Sequence, residues 1–245
     1  MSFRVDNLLE IQNVSKHFGG VVAVNGISFG VAEDEAVGLM GPNGAGKTTL
    51  LNLIFGEFKP DSGEMLFKGQ KITGMAPHRI CICGIGRTYQ IPLPYSNLTV
   101  MQNLMVPAMY AGNMKKKEAE KTAIELLELT RLFHIKDVFA NTLLGVTLKR
   151  LEIARALASR PSLLLLDEVA GGLTEEEVPD MLELLREIRR RGTSILLIEH
   201  VMSVISEAVD RILVIDKGSK IAEGKPKDIM QDPVVIEAYL GCNGV

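Results

Sequence analysis

The chain has 245 residues, 47% of them apolar and 23% charged, which excludes a disordered or fibrous protein. Its 27 basic and 30 acidic residues leave a net charge of −3, so the charge balance gives no support to a broad basic surface gripping nucleic acid. The longest clean apolar runs, such as those at residues 163–166 and 195–198, fall far short of the roughly 20 residues that a membrane-spanning helix requires.

The first ten residues mix Arg4, Asp6 and Glu10 among short apolar stretches and lack the basic-then-apolar order of a secretion signal, so the cytosol is the expected address. Residues 8–14 and 27–31 read as strands, and residues 65–67 turn back towards Ile72 through Lys68-Gly69-Gln70-Lys71, where glycine supplies the positive φ of a tight turn. An antiparallel β piece is therefore expected near the start. Residues 36–40 predict a short apolar strand running into a glycine-rich loop, and residues 47–55 a helix stopped by Gly56. Cys81, Cys83 and Cys242 have neither the spacing nor the neighbouring histidines of a zinc knuckle or a redox pair, and read as packed or incidental thiols. From residue 92 to 158 strand signals vanish, and helices over 100–110, 115–132 and 151–158 predict an inserted helical subdomain. Lys115-Lys116-Lys117, beside Glu118 and Glu120, reads as a solvated helix face. Beyond Pro161, strands at 163–166, 194–198 and 212–215 alternate with helices at 175–190 and 201–208, the pattern of an α/β fold around a mostly parallel sheet. Thr174 and Glu177 predict a capping box at the first of those helices, and Asp232-Pro233 opens a last helix through Leu240, closed by Gly241.

Between the strand at 36–40 and the helix at 47–55 lies Gly41-Pro42-Asn43-Gly44-Ala45-Gly46-Lys47-Thr48, a complete G-x-x-x-x-G-K-T in the strand-to-helix context that gives the pattern its meaning. Its glycines let the backbone curl with amides inward around a phosphate, and the amino end of the next helix adds positive potential. Lys47 is expected to reach the β and γ phosphates of a nucleotide, and the Thr48 hydroxyl to ligate magnesium. The apolar run 163–166 ends in Asp167-Glu168, which offers one carboxylate for the metal and a second, on the opposite side if the strand continues, for the attacking water. His200 follows the strand at 194–198 and Glu199, a place from which it can face the γ phosphate, whereas His17, His78 and His134 are assigned no chemistry.

With these motifs the chain resembles the ATP-binding subunits of ABC transporters over essentially its whole length, most closely those of the branched-chain amino-acid importers. Phe18 in His17-Phe18-Gly19-Gly20 sits where that family places an aromatic that stacks on adenine. Gln90 in Gly86-Arg87-Thr88-Tyr89-Gln90 matches a glutamine that joins magnesium and passes nucleotide state to the helical insert. Residues 151–157 match the helix behind the family signature, and Gly172-Leu173 the turn after the catalytic glutamate. The run Ile198-Glu199-His200-Val201-Met202 and residues 235–241 resemble the branched-chain group in particular.

The resemblance implies a P-loop NTPase: one domain with a RecA-like core (residues 1–91 and 159–245) that includes an antiparallel β subdomain, and a helical subdomain at 92–158. It implies binding of ATP and Mg2+, the nucleotide by Phe18, Gly41, Pro42, Asn43, Gly44, Ala45, Gly46, Lys47, Thr48 and Thr49, and the metal by Thr48, Gln90 and Asp167. Hydrolysis would fall to Lys47, Gln90, Glu168 and His200. The implied partners are an identical or homologous ATPase subunit, integral-membrane permease subunits and, indirectly, an extracytoplasmic solute-binding protein, with no nucleic acid, on the cytoplasmic face of the cell membrane.

The family signature Leu-Ser-Gly-Gly-Gln aligns with Leu143-Leu144-Gly145-Val146-Thr147, of which only Leu143 and Gly145 agree. In the family this loop closes over the partner's ATP, so Leu144 lacks a hydroxyl donor and Val146 crowds a glycine position. Losing a donor aimed at a transferring phosphate costs about 3 kcal/mol, roughly a hundredfold in rate, and a sluggish homodimer is expected. Val169, where proline is usual, is a milder departure. The rival expectations are an ATPase of a lipid or lipopolysaccharide exporter and a nucleotide-binding regulatory module with weak hydrolysis.

Overall fold

A computed structural model of the chain describes residues 7–240; Arg4, Asp6, the helix stop at Gly241 and Cys242 lie outside the described residues. Strands β1 (Asn7–Phe18) and β2 (Val21–Ala32) pair antiparallel, β3 (Ala36–Met40) leads through a loop into helix α1 (Lys47–Ile54), and β4 (Ser62–Phe67) and β5 (Gln70–Lys71) return to the first sheet. Then come α2 (Pro77–Cys83), β6 (Ile85–Arg87), α3 (Val100–Tyr110), α4 (Lys116–Leu129), α5 (Gly145–Leu157) and β7 (Leu163–Asp167). The chain continues with α6 (Val178–Arg190), β8 (Ser194–Ile198), α7 (Met202–Ala208), β9 (Arg211–Asp216), β10 (Ser219–Gly224), α8 (Pro226–Ile229) and α9 (Pro233–Leu240).

Four strands in the order β2-β1-β4-β5 form the antiparallel sheet expected near the start, and six in the order β10-β9-β3-β8-β7-β6 form the second, parallel at every pairing except β10 with β9. β3, β7 and β8 are buried throughout, which is why they read as continuous apolar runs, since a parallel strand is covered on both faces. Alternation then divides their side chains. Leu164, Leu166, Ile195 and Leu197 point into a core shared with Leu104, Leu127 and Leu151 of the helical stretch and Met181 and Leu185 of α6. Leu163, Leu165, Leu196 and Ile198 point the other way, onto Leu50 and Leu51 of α1 and onto Leu9, Ile11 and Phe67 of the antiparallel sheet. The large sheet is thus the middle layer, and because β3 lies beside β8, and β8 beside β7, their carboxyl ends open on one edge. That edge is where an open α/β sheet places its ligands.

Several local expectations change. β1 and β2 run to 12 residues each, because register shifts let the hairpin bend and continue where its alternation fades. α2 and the three-residue β6 are too short to leave a periodic signal, and Cys81 and Cys83, both half-buried, sit on α2. Helix α6 begins at Val178, not at residue 175, and only half of the expected capping box forms: the Glu177 carboxylate accepts from Thr174 N at 2.9 Å. A complete one starts α3, where Thr99 and Gln102 exchange both bonds. Lys115, Lys116 and Lys117 are exposed as expected.

Leu165, fully buried at the middle of β7, sets a test of this layering. Leu165→Ala is expected to lower the unfolding free energy by about 2–5 kcal/mol. Ile82→Ala, at a residue 64% exposed, is expected to stay within about 0.5 kcal/mol. Urea unfolding of the two variants checks both.

Candidate active site

The loop from residue 41 to 46 is closed by backbone approaches. A Cβ on Gly41 would stand 2.0 Å from the Ile215 carbonyl oxygen, and one on Gly46, held at φ +105°, would stand 2.1 Å from that of Ala23, so no side chain fits at either end. Gly46 caps α1 with no side-chain hydrogen bond and the first turn carries no acid, which leaves the amides there as donors for an anion. Lys47 is buried and folds back over the loop, its Nζ donating to Gly41 O at 2.7 Å and Pro42 O at 3.0 Å. Burial lowers its pKa, and the carboxylates of Glu168 and Asp167 oppose that shift. Asn43, Gly44 and Thr48 are exposed, Pro42 and Thr49 half-buried, and the Ala45 carbonyl accepts from Gly218 N at 2.9 Å, which ties the loop to the turn after β9.

The end of β7 brings two carboxylates. Asp167 is 3% exposed and its Oδ1 has no hydrogen-bond partner. Burial pushes its pKa up, Glu168 adds to the shift, and Arg87 and Lys47 oppose it. Glu168 follows with its backbone at φ +52°, so its direction comes from a left-handed turn and not from continued strand alternation as expected. Its Oε2 accepts from Gln90 Nε2 at 2.7 Å, and its Oε1 lies 3.0 Å from His200 Nε2. Gln90 and His200, from two distant segments, therefore meet at the Glu168 carboxylate.

Phe18 closes β1 opposite Val21, its ring 42% exposed and set edge-on to Phe58 at 5.1 Å. His17, without assigned chemistry, instead holds Asp61 through its backbone N and Nδ1, at 2.6 and 3.2 Å. Leu143 is buried, Leu144 is 81% exposed, and α5 begins at Gly145, six residues before the expected start, with Val146 and Thr147 in its first turn. Gly145 stands at φ +55° with open space around its missing Cβ, whereas Val146 is helical and carries its side chain without backbone strain.

Sequence reasoning missed other groups at this edge. Arg87 is buried between the rings of Phe55 and Tyr89, at 5.6 and 4.8 Å, and donates to Asn52 Oδ1 at 2.6 Å. The hydroxyl of Tyr239, on α9, accepts from Gly41 N at 2.8 Å, a contact across 198 positions that no local pattern signals. Lys149 and Glu199 hold the turn at Glu168 through backbone atoms. For Glu199 a signal did exist: it is a charge set directly after a wholly buried strand.

The family model described as ABC transporter matches residues 24–171, and that described as Branched-chain amino acid ATP-binding cassette transporter matches residues 219–241. The probable branched-chain amino acid transport ATP-binding protein LivG of Archaeoglobus fulgidus is 39% identical, with 96% of this chain and 95% of the relative covered. The high-affinity branched-chain amino acid transport ATP-binding protein BraF of Pseudomonas aeruginosa is 36% identical, with 96% and 98% covered. A crystal structure of the ADP conformation of an ATP-binding cassette of an ABC transporter superposes with a TM-score of 0.87 at 32% identity, over 96% of this chain and 99% of that one. A dimeric post-hydrolysis cassette bound to ADP and Pi gives 0.80 at 27% identity, over 89% and 98%. The slow hydrolysis expected from Leu144, Val146 and Thr147 is not borne out by these matches. A family match over more than half of the chain, relatives aligned almost end to end and a complete phosphate-binding loop make this chain a member of the ABC transporter ATP-binding family, an ATPase.

Proposed function

We propose that the chain is the ATP-hydrolysing subunit of an importer for branched-chain amino acids or related small solutes. It works as half of a head-to-tail pair with an identical or homologous cassette, docked on the cytoplasmic face against permease subunits that an extracytoplasmic binding protein supplies with solute. The observation that carries the chemistry is the Glu168 carboxylate, held between Gln90 and His200 at the end of β7. The cargo rests on the names of the relatives and on the match at residues 219–241, which also favour import over lipid export.

In this reading the amides of residues 41–48 and the Lys47 ammonium hold the β and γ phosphates, while the exposed face of Phe18 stacks on adenine. Glu168 takes the proton of the water that attacks the γ phosphorus, and the bond to the leaving ADP oxygen breaks. His200 keeps Glu168 in place and faces the transferring phosphate. Leu143, Leu144, Gly145, Val146 and Thr147, at the start of α5, are offered to the nucleotide of the partner subunit.

Magnesium fits the donors present. The orphaned, buried Oδ1 of Asp167 is a hard acceptor without a partner, and Thr48 and Gln90 add oxygens. Among the described residues no group of three or more acidic, histidine or cysteine side chains gathers around one point. That suits Mg2+, which keeps waters and takes phosphate oxygens in place of a full protein cage. Held there by Asp167, Thr48 and Gln90, the ion would supply neutralisation of the charge that develops on the transferring phosphate.

Beyond Gln90 the chain exposes Ile91 at 74% and Leu93 at 65%, beside a groove lined by Tyr89, Tyr95 and Arg155. We assign this exposed segment to the contact with the permease. The placement lets Gln90 report on Glu168 to the docked partner. No helix among the described residues is long and apolar enough to cross a membrane, and the path for solute is assigned to the permease.

Asp167→Asn tests the metal assignment. The carboxyl's pKa is raised in the folded chain, so its ionised form opposes folding, and stability is lost as pH rises through that pKa. The variant is expected to melt higher than wild type at pH 7 without nucleotide, by about 2–4 °C per 1 kcal/mol, with the gain vanishing below about pH 4. It is also expected to lose the Mg2+ dependence of ATP affinity; calorimetry with and without a chelator reads both.

Glu168→Gln tests the chemistry. It is expected to lower the kcat of hydrolysis about a hundredfold or more while Mg-ATP affinity stays within a few-fold. In vesicles holding the copurified permease, uptake of labelled leucine, isoleucine and valine is expected to fall to background. A variant that hydrolyses as fast as wild type supports the regulatory module instead, and wild-type vesicles that take up none of the three amino acids overturn the cargo.

A further inference from the structure

The turn that carries Glu168 is held in a conformation it would not keep alone. Glu168 stands at φ +52° and Gly172 at φ +75°, and a non-glycine residue stays in that region only where its surroundings fix it. Two charges fix it, one from α5 and one from the end of β8. From α5, Lys149 Nζ donates to the carbonyl oxygens of Glu168 at 3.0 Å and Val169 at 3.3 Å, and to that of Gly171. From the end of β8, the Glu199 carboxylate, 1% exposed, accepts from Ala170 N at 2.6 Å through Oε1. Its Oε2 accepts from His200 N at 3.0 Å and Val201 N at 3.3 Å.

One carboxylate therefore ties together the two turns whose side chains, Glu168 and His200, meet at 3.0 Å. Each charge is surrounded by backbone dipoles of the opposite sense, and Glu199 also attracts Lys149, which is how buried charges of this kind are tolerated. Lys149 adds a mechanical link. It sits about one turn beyond Gly145, so a displacement of the exposed Leu144 end of α5 reaches the Glu168 carbonyl through a single side chain.

We infer that Lys149 and Glu199 are positioning residues for hydrolysis: they set the place of the Glu168 carboxylate relative to His200 by gripping backbone, without touching the nucleotide. The inference rests on the reading of Glu168 as the group that takes the proton of the attacking water.

The test uses the full chain with the near-isosteric variants Lys149→Met and Glu199→Gln, the conservative Lys149→Arg, and Glu168→Gln alongside. Both near-isosteric variants are expected to lower kcat at least tenfold with KM and Mg-ATP affinity within twofold of wild type, and Lys149→Arg to recover most of the loss. Amide hydrogen exchange gives a readout independent of turnover: the Ala170 amide is expected to be protected in wild type and to exchange at least tenfold faster in Glu199→Gln, with β7 amides unchanged. Wild-type kcat in Lys149→Met and Glu199→Gln overturns the inference, as does an unprotected Ala170 amide in wild type or a loss of affinity that runs parallel to the loss of kcat. Full turnover in Glu168→Gln would instead overturn the reading on which the inference rests. A variant that does not accumulate folded leaves the decision to the wild-type Ala170 amide and to the other variant.

Discussion

Backbone packed on backbone at the two ends of the loop between β3 and α1 is the constraint on which the site depends. Gly41 abuts the carbonyl of Ile215 at the end of β9, Gly46 abuts that of Ala23 in β2, and the first helical turn follows at once. A side chain at either position would push the loop off both sheets. With the loop so held, Lys47 has only one course, back across the carbonyls of Gly41 and Pro42, and the amides of α1 face outward from the sheet edge. The order β9-β3-β8-β7 then brings the last residues of β7 and β8 to the same edge.

Polar cost is concentrated at that edge while the layers behind it are apolar. Asp167 is buried with an unpartnered oxygen, Lys47 is buried enough for its pKa to fall, and Glu168 holds a left-handed backbone. The proposed magnesium-bound nucleotide would give Asp167 and Lys47 partners, while Lys149 and Glu199 hold the Glu168 turn. The apolar side chains of β3, β7 and β8, which pack onto helices on one side and the antiparallel sheet on the other, supply the stability that offsets these costs.

Most of this was legible where the physics is local. A strand, a glycine loop and a helix in succession read directly from residues 36–55, and a buried run ending in Asp167-Glu168 read as a strand terminus carrying chemistry. Short elements escaped, since the three residues of β6 and the seven of α2 are too few to establish a repeating pattern. The start of α5 at Gly145 escaped because nothing in Gly145-Val146-Thr147 favours a helix, and tertiary packing of Leu151 and Ala154 decides it. Lys149 grips the Glu168 carbonyl 19 positions away, Glu199 the Ala170 amide 29 away and Tyr239 the Gly41 amide 198 away, and a sequence carries no mark of which distant backbone a side chain will grip.

Everything rests on the loop from Gly41 to Thr48 wrapping the terminal phosphates of a nucleotide, with Lys47 as its one buried cation. Calorimetric titration of Mg-ATP into Lys47→Ala tests this most directly. The account predicts a fall in affinity of about a hundredfold or more, from loss of a charged contact to phosphate; an affinity equal to that of wild type, with solute uptake undiminished, would contradict it.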